Sequence, residues 1–210
     1  SNAAAHLLLA LGVAKGDRVA IMAPNCTLLP ALYIACHKIG ALAAPLAFLM
    51  DLQQLAGQLA AVQPSVVVFH CSVADTILPT AQVLGLPMPL LQFGHVKGSV
   101  PDGTAQDWDM LVAQQSSGPP PPVLADANDG AFVLTASDAA GMPRALLLTH
   151  RNLLLFDDPS EVQMVTGDTV LFSFGLYTPE AVIFAMLAFR LGAHLCLSRG
   201  GAGAEIVEEV

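Results

Sequence analysis

Residues 131–152, AFVLTASDAAGMPRALLLTHRN, decide how the rest of the chain is read. Ala131 to Leu134 is a short apolar run, and a small polar loop containing a glycine, Thr135 to Met142, follows it. After Pro143 and Arg144 a second apolar run, Ala145 to Leu148, leads into Thr149, His150 and Asn152. Apolar runs this short, bounded by turn residues, suit buried strands, so the stretch predicts strand, loop, strand. A loop so placed can turn successive backbone N–H groups towards an anion. The bland alternative is a solvated turn.

Upstream, Gln114 to Pro122 (QQSSGPPPP) breaks any regular element. Four consecutive prolines give no N–H to a helix or a central strand and hold the chain extended. The stretch reads as a linker between an α/β unit at residues 4–113 and a second α/β segment at residues 123–210. Ser1-Asn2-Ala3 reads as a remnant of tag cleavage and is set aside.

In the first unit a helix ends at Gly12, and Val19 to Met22 predicts a short buried strand closed by Pro24-Asn25. Leu28 to Ile39 is apolar on most sides and predicts a buried helix stopped by Gly40. Ala41 to Pro45 closes a strand–helix–strand unit, hence a parallel pair. Asp51 is a candidate N-cap for a helix to Val62, with Leu52, Leu55, Leu59 and Val62 at helical spacing. Ser65 to Phe69, with three valines, is the clearest strand. A helix over 73–84 and a strand over 87–92 follow, and Trp108 covers an edge. Beyond the loop, the pattern predicts a helix over 152–163, a strand over 169–174, a turn at 175–179, a helix over 180–191 and a strand over 193–197. A last helix begins at Ala204.

The chain is 54% hydrophobic and 12% charged, against about a quarter charged in ordinary soluble domains. Its longest apolar stretches are interrupted by Pro30, Lys38, Gly40 and Pro45, or by Arg190 and Gly192, so neither offers the roughly 20 apolar residues of a membrane span. Buried or interface surface accounts for the composition better. The net charge of −9 has no basic cluster within it, which argues against nucleic acid as a partner. Four scattered cysteines form no CxxC pair, so the residues assign no metal site and fit a reducing cytoplasm.

Three stretches together resemble the adenylate-forming superfamily of acyl-CoA synthetases and fatty-acyl-AMP ligases. Gly12-Val13, Lys15 to Ile21 and Pro24-Asn25 are similar to its opening strand. Lys38-Ile39-Gly40-Ala41 with Pro45-Leu46 is similar to its next helix-to-strand turn. Leu148 to Leu153 is similar to the segment after its phosphate loop. The resemblance implies an α/β fold, a parallel or mixed sheet flanked by helices, as the first part of the N-terminal domain. It implies a ligase that joins a fatty acid to ATP with Mg²⁺, releases pyrophosphate and passes the acyl group to coenzyme A.

Two motifs depart from the family. Its loop, Thr-Ser-Gly-Thr-Thr-Gly-x-Pro-Lys-Gly, falls on Ala136 to Ala145, so Ala136, Ala139 and Ala140 replace hydroxyls, Asp138 replaces a glycine and Arg144 a lysine. A carboxylate a few ångströms from phosphate is repelled by on the order of several kcal/mol at moderate screening. The residual phosphate-binding residues are Ser137, Gly141 and Arg144. At the acyl-pocket mouth, where the family often has Pro-Leu-Tyr/Phe-His, this chain has Gly175-Leu176-Tyr177-Thr178 without the histidine. No catalytic residue is assigned. The expectation is a truncated or degenerate acyl-CoA synthetase-like protein that forms no acyl-adenylate by itself. The alternative is a non-catalytic binding or interaction module on the same scaffold, and exposed apolar surface implies a homodimer.

Residues off these motifs have bland explanations. His37, His70 and His194 read as packed core, His150, Thr149 and Asn152 as helix-start anchors, and Asp157-Asp158 as a solvated loop. The phenylalanines and methionines from Phe172 to Phe189 read as core before acyl tunnel.

Overall fold

A computed structural model of the chain describes residues 1–95, 103–137, 143–154 and 163–198. Along the first unit run α1 (Asn2–Ala10), β1 (Arg18–Met22), α2 (Leu28–Lys38), β2 (Leu42–Leu46), α3 (Leu52–Val62), β3 (Val66–His70), α4 (Ala74–Leu84), β4 (Leu90–Phe93), β5 (Gln106–Asp107) and α5 (Trp108–Ala113). After the proline stretch come β6 (Gly130–Ser137), β7 (Pro143–Thr149), α6 (His150–Leu153), β8 (Thr169–Phe172), α7 (Pro179–Leu191) and β9 (His194–Leu197). Strands β1 to β7 form a seven-stranded sheet in the order β5-β4-β3-β1-β2-β6-β7, all parallel except the antiparallel β6–β7 hairpin. This is the α/β class that the sequence predicts, with helices on both faces.

Alternation along the strands divides the core. Val19, Ile21, Val66 and Val68 face α1 and α2, whereas Ala20, Met22, Val67 and Phe69 face α3 and α4. Strands buried on both sides read as continuous apolar runs, which is why Val66 to Phe69 is so legible. Asp51 caps α3 as predicted: its Oδ1 accepts from Gln54 N–H at 2.8 Å, and Gln54 Oε1 accepts from Asp51 N–H at 3.1 Å. Leu55, Leu59 and Val62 are buried at the spacing that the sequence shows, and Leu52 is exposed. Trp108 is buried beside the short β5 edge.

The proline stretch does not separate two sheets, because β6 joins β2 in parallel at Ala43 and Phe132. Nor is the second apolar run of the hairpin buried. β7 is the outer strand, with Leu146 47% and Leu147 58% exposed. A run of leucines cannot reveal whether a further strand or helix covers it. The tag-like Asn2 and Ala3 lie within α1, and Ala4 and Ala5 are buried. Of the predicted helix over 152–163, Asn152 and Leu153 lie in α6, Leu154 is its C-cap, Gln163 lies outside any helix and residues 155–162 are outside the described residues, as is the stretch from Ala204.

Strands β8 and β9 form a separate two-stranded parallel sheet. Its Phe172, with Leu176 and the α7 residues Ala181, Val182 and Ala185, packs into the same cluster as Leu29, Leu32 and Tyr33 of α2.

Helix α3 meets the hairpin where a side chain would not fit: a Cβ built on Gly57 lies 2.7 Å from Pro143 Cγ. Alanine normally stabilises a helix interior by about 1 kcal/mol over glycine. Overpacking costs about 1–3 kcal/mol, so Gly57→Ala is expected to lose about 1 kcal/mol net. A rise in Tm for that variant would refute the close packing.

Candidate functional site

The carboxyl ends of β1 to β4 open at one edge of the sheet, and β6, parallel to β2, delivers its hairpin loop to the same edge. Helix α2 leaves β1 towards one face, while α3 and α4 leave β2 and β3 towards the other, so the chain parts around the end of β1. A crevice at such a parting is where open α/β sheets bind ligands.

At that parting stands Asn25, 9% exposed. Its Nδ2 donates to Phe174 O at 3.0 Å and to Ser198 O at 3.1 Å, and its Oδ1 accepts from Leu176 N–H at 2.9 Å. Tyr33 adds a hydroxyl donation to Leu176 O at 2.9 Å. The end of β1 and helix α2 therefore hold the 174–176 turn, and Phe48, after β2, meets Tyr177 edge-on at 6.0 Å between ring centroids. Burial pushes the Tyr33 phenol far above its ordinary value and the Cys36 thiol up to about 12, so neither ionises near neutrality.

Thr178, at the position where the resembled family carries histidine, caps α7: its Oγ1 accepts from Ala181 N–H at 3.3 Å, with Pro179 and Glu180 next in line. Threonine, proline and glutamate are helix-start chemistry, and the turn here serves a helix terminus.

In the hairpin the ladder runs from Gly130 opposite Thr149 to Ser137 opposite Pro143. The backbone of Ser137 thus marks where the loop leaves the sheet. Arg144 is exposed, paired in register with Ala136. Gly141 lies outside the described residues with Asp138, Ala139 and Ala140, as does Asp157-Asp158. The donor set suits a nucleotide phosphate poorly: Ala136 gives no hydroxyl, and none of the side chains from Asp138 to Met142 offers a hydroxyl or cationic donor, Asp138 being a carboxylate. Among the described residues no group of three His, Cys, Asp or Glu is placed to hold a metal.

The base of the hairpin holds the other polar cluster. His37, on α2, donates from Nε2 to Ala131 O at 3.0 Å and lies edge-on to Phe132 and to His150, the latter at 5.1 Å. Burial and then the neighbouring His150 push His37 down to about 4. Burial also lowers His150, opposed by the charge of Asp129. Asp129 is held below its usual range by the Asp126 N–H and by Lys15, whose Nζ is 2.8 Å away. Thr149 and Asn152 form a reciprocal capping box on α6, the anchoring role expected of them. His70 accepts from Ser72 N–H at the end of β3, and His194 is exposed, which corrects its assignment to the core: it is the first residue of β9, and only the residues after it are half-buried. Of the phenylalanines from 172 to 189, Phe172 is buried and Phe174, Phe184 and Phe189 are substantially exposed.

Sequence reasoning missed Asn25, Tyr33 and the His37–His150 pair as structural determinants. Pro24-Asn25 signalled the end of a strand and part of the family resemblance, and nothing local connects Asn25 to residues near 175.

The sequence matches the AMP-binding enzyme family across residues 1–209. Similar proteins include the long-chain-fatty-acid–CoA ligase FadD13 of Mycobacterium tuberculosis H37Rv, 27% identical over 158 residues that make up 73% of this chain and 28% of the ligase. The medium-chain fatty-acid–CoA ligase of Escherichia coli K12 is 28% identical over 153 residues, 71% of this chain and 27% of that one. The chain thus spans just over a quarter of these relatives. A solved structure described as a long-chain-fatty-acid CoA ligase, from Rhodopseudomonas palustris CGA009, superposes with a TM-score of 0.85 at 26% identity, covering 99% of this chain and 51% of that one. A red-emitting luciferase of Phrixothrix hirtus shares the fold alone, at a TM-score of 0.86 and 16% identity, over 100% of this chain and 41% of its own. With the family pattern running over nearly its whole length and the corresponding fold around it, this chain belongs to the AMP-binding enzyme family.

Proposed function

We propose that this chain is an acyl-CoA synthetase-like protein whose phosphate loop no longer supports adenylate formation by itself. One observation carries this reading: the end of β6 and the loop after it have alanine at 136, 139 and 140 and a carboxylate at 138. ATP with Mg²⁺, as family members use it, would supply the adenylyl group and the pyrophosphate that leaves. Ser137, Gly141 and Arg144 are the residues left to meet its phosphates. A hydroxyl, a backbone N–H and a guanidinium attract phosphate, but Asp138 opposes them, and stabilising a leaving pyrophosphate rests on such donors. Fatty acid and coenzyme A remain the substrates to which the scaffold belongs.

Pyrophosphate release from ATP with a panel of fatty acids is expected to stay at background for this chain, and release by it would refute the proposal. Thermal unfolding tests binding separately from turnover. Millimolar ATP–Mg²⁺ is expected to leave Tm unchanged. The Ala136→Thr, Asp138→Gly, Ala139→Thr, Ala140→Thr variant is expected to be stabilised, by about 1.4 kcal/mol once ligand reaches tenfold over Kd. A shift in the unaltered chain would show that the loop still holds nucleotide.

A second reading, a non-catalytic interaction module, draws on the exposed outer strand. Among the described residues β7 is the last strand of its sheet, with Leu146 and Leu147 exposed, and such an edge can template another strand. Antiparallel pairing of β7 in two copies would set a second strand beside both leucines, and light scattering is expected to report a dimer. A monomer at high concentration would count against it.

A further inference from the structure

The proline stretch is not a slack connection. Gly118 and Pro119 to Pro121 each precede a proline, which excludes them from helical conformation, and every proline fixes its own φ near −65°. The result is a left-handed helix of three residues per turn. Burial follows that period. Pro120 and Val123, three apart, are half-buried, while Pro119, Pro121 and Pro122 are exposed and Leu124 is 92% exposed. Two ridges therefore face outward, Pro119 with Pro122 and Pro121 with Leu124.

Both ends are fastened to the body of the protein. His6 donates from Nε2 to Gly118 O at 3.2 Å, and Lys15 Nζ donates to Leu124 O at 2.8 Å. Between them Val123 lies on the turn after α2, its Cγ1 3.1 Å from where a Cβ on Gly40 would stand. Gly40, at a φ of +72°, makes that turn and leaves the space in which Val123 sits.

We propose that residues 119–124 are a preformed ligand for a protein module whose groove is lined with aromatic rings. Such grooves take alternate ridges of an extended proline helix between their rings, and an already ordered ligand loses little entropy on docking. The charge of the strap narrows the class. Residues 114–130 contain no lysine or arginine, and Asp126 and Asp129 follow the prolines. A groove flanked by an acidic pocket for a basic ligand residue is disfavoured, and one with a neutral or basic rim fits.

A WW-type module with two stacked aromatic rings is the probe, titrated with the whole 210-residue chain and followed by its tryptophan fluorescence. Saturable one-to-one binding is expected, weakened about tenfold or more by Pro121→Ala with Pro122→Ala, a loss of the size of one buried apolar ring. Both prolines are exposed, so the double variant should keep its Tm, which the same samples report. A free peptide of residues 115–126 is expected to bind more weakly than the chain, and Lys15→Met to shift the chain towards the peptide. Absence of saturation at millimolar module, indifference to the proline substitutions, or equal binding by peptide and chain would overturn the proposal. Tighter binding to a module with an acidic pocket would do the same.

Discussion

Asn25→Ala is expected to lower the free energy of unfolding by about 2–4 kcal/mol, because it strips partners from the Leu176 N–H and from two carbonyls at once. Each buried polar group left without a partner costs about 1–3 kcal/mol, and water reaching the site recovers part of that. Asn25→Asp separates the two halves of the amide. It keeps an acceptor for Leu176 N–H but turns a carboxylate oxygen towards Phe174 O and Ser198 O, so it should be at least as damaging as alanine. Urea unfolding reads both variants. If both fall within about 0.5 kcal/mol of the unaltered chain, as surface substitutions usually do, Asn25 is no anchor.

Acid should destabilise the protein through His37. Its folded value is pushed down to about 4 from an ordinary 6.5, so between those limits the unfolded chain binds more protons than the folded one. The stability in question is therefore fully present above pH 6.5 and lost as pH falls through about 4. At about 1.4 kcal/mol per unit, the loss approaches about 3 kcal/mol. His37→Gln retains a donor for Ala131 O and cannot titrate, so its stability should decline less over the same interval. Imidazole carbon shifts followed by NMR should place the midpoint of His37 far below that of an exposed histidine. A midpoint near 6.5 would remove the effect.

The parts of the fold that the sequence made legible are those set by local chemistry. Valines mark β3, Asp51 marks the start of α3, and Gly12 and Gly40 stop helices where φ turns positive. What stayed hidden depends on neighbours far along the chain. Ala145 to Leu148 has the composition of an inner strand, yet lies outermost because nothing among the described residues pairs beyond it. The proline run looks like a divider by composition, whereas its seat on Gly40 and its ties to His6 and Lys15 exist only once α1 and α2 are packed. At the candidate site, the make-up of the phosphate-loop positions was visible residue by residue, since alanine at 136, 139 and 140 and a carboxylate at 138 are facts of sequence. The holding of the 174–176 turn by Asn25 and Tyr33 was not, because a strand-ending asparagine and a helical tyrosine have no local mark of that duty.

The reach of Asn25 has a bearing on the order of assembly. Its bond to Leu176 spans 151 residues, while the β1–α2–β2 and β3–α4–β4 units close over short sequence distances. Contacts so distant in sequence bring no gain until the intervening chain is already compact, and proteins rich in them fold slowly. The β8–β9 layer is thus suited to dock late onto a preassembled sheet, with Asn25 as the latch that registers its arrival.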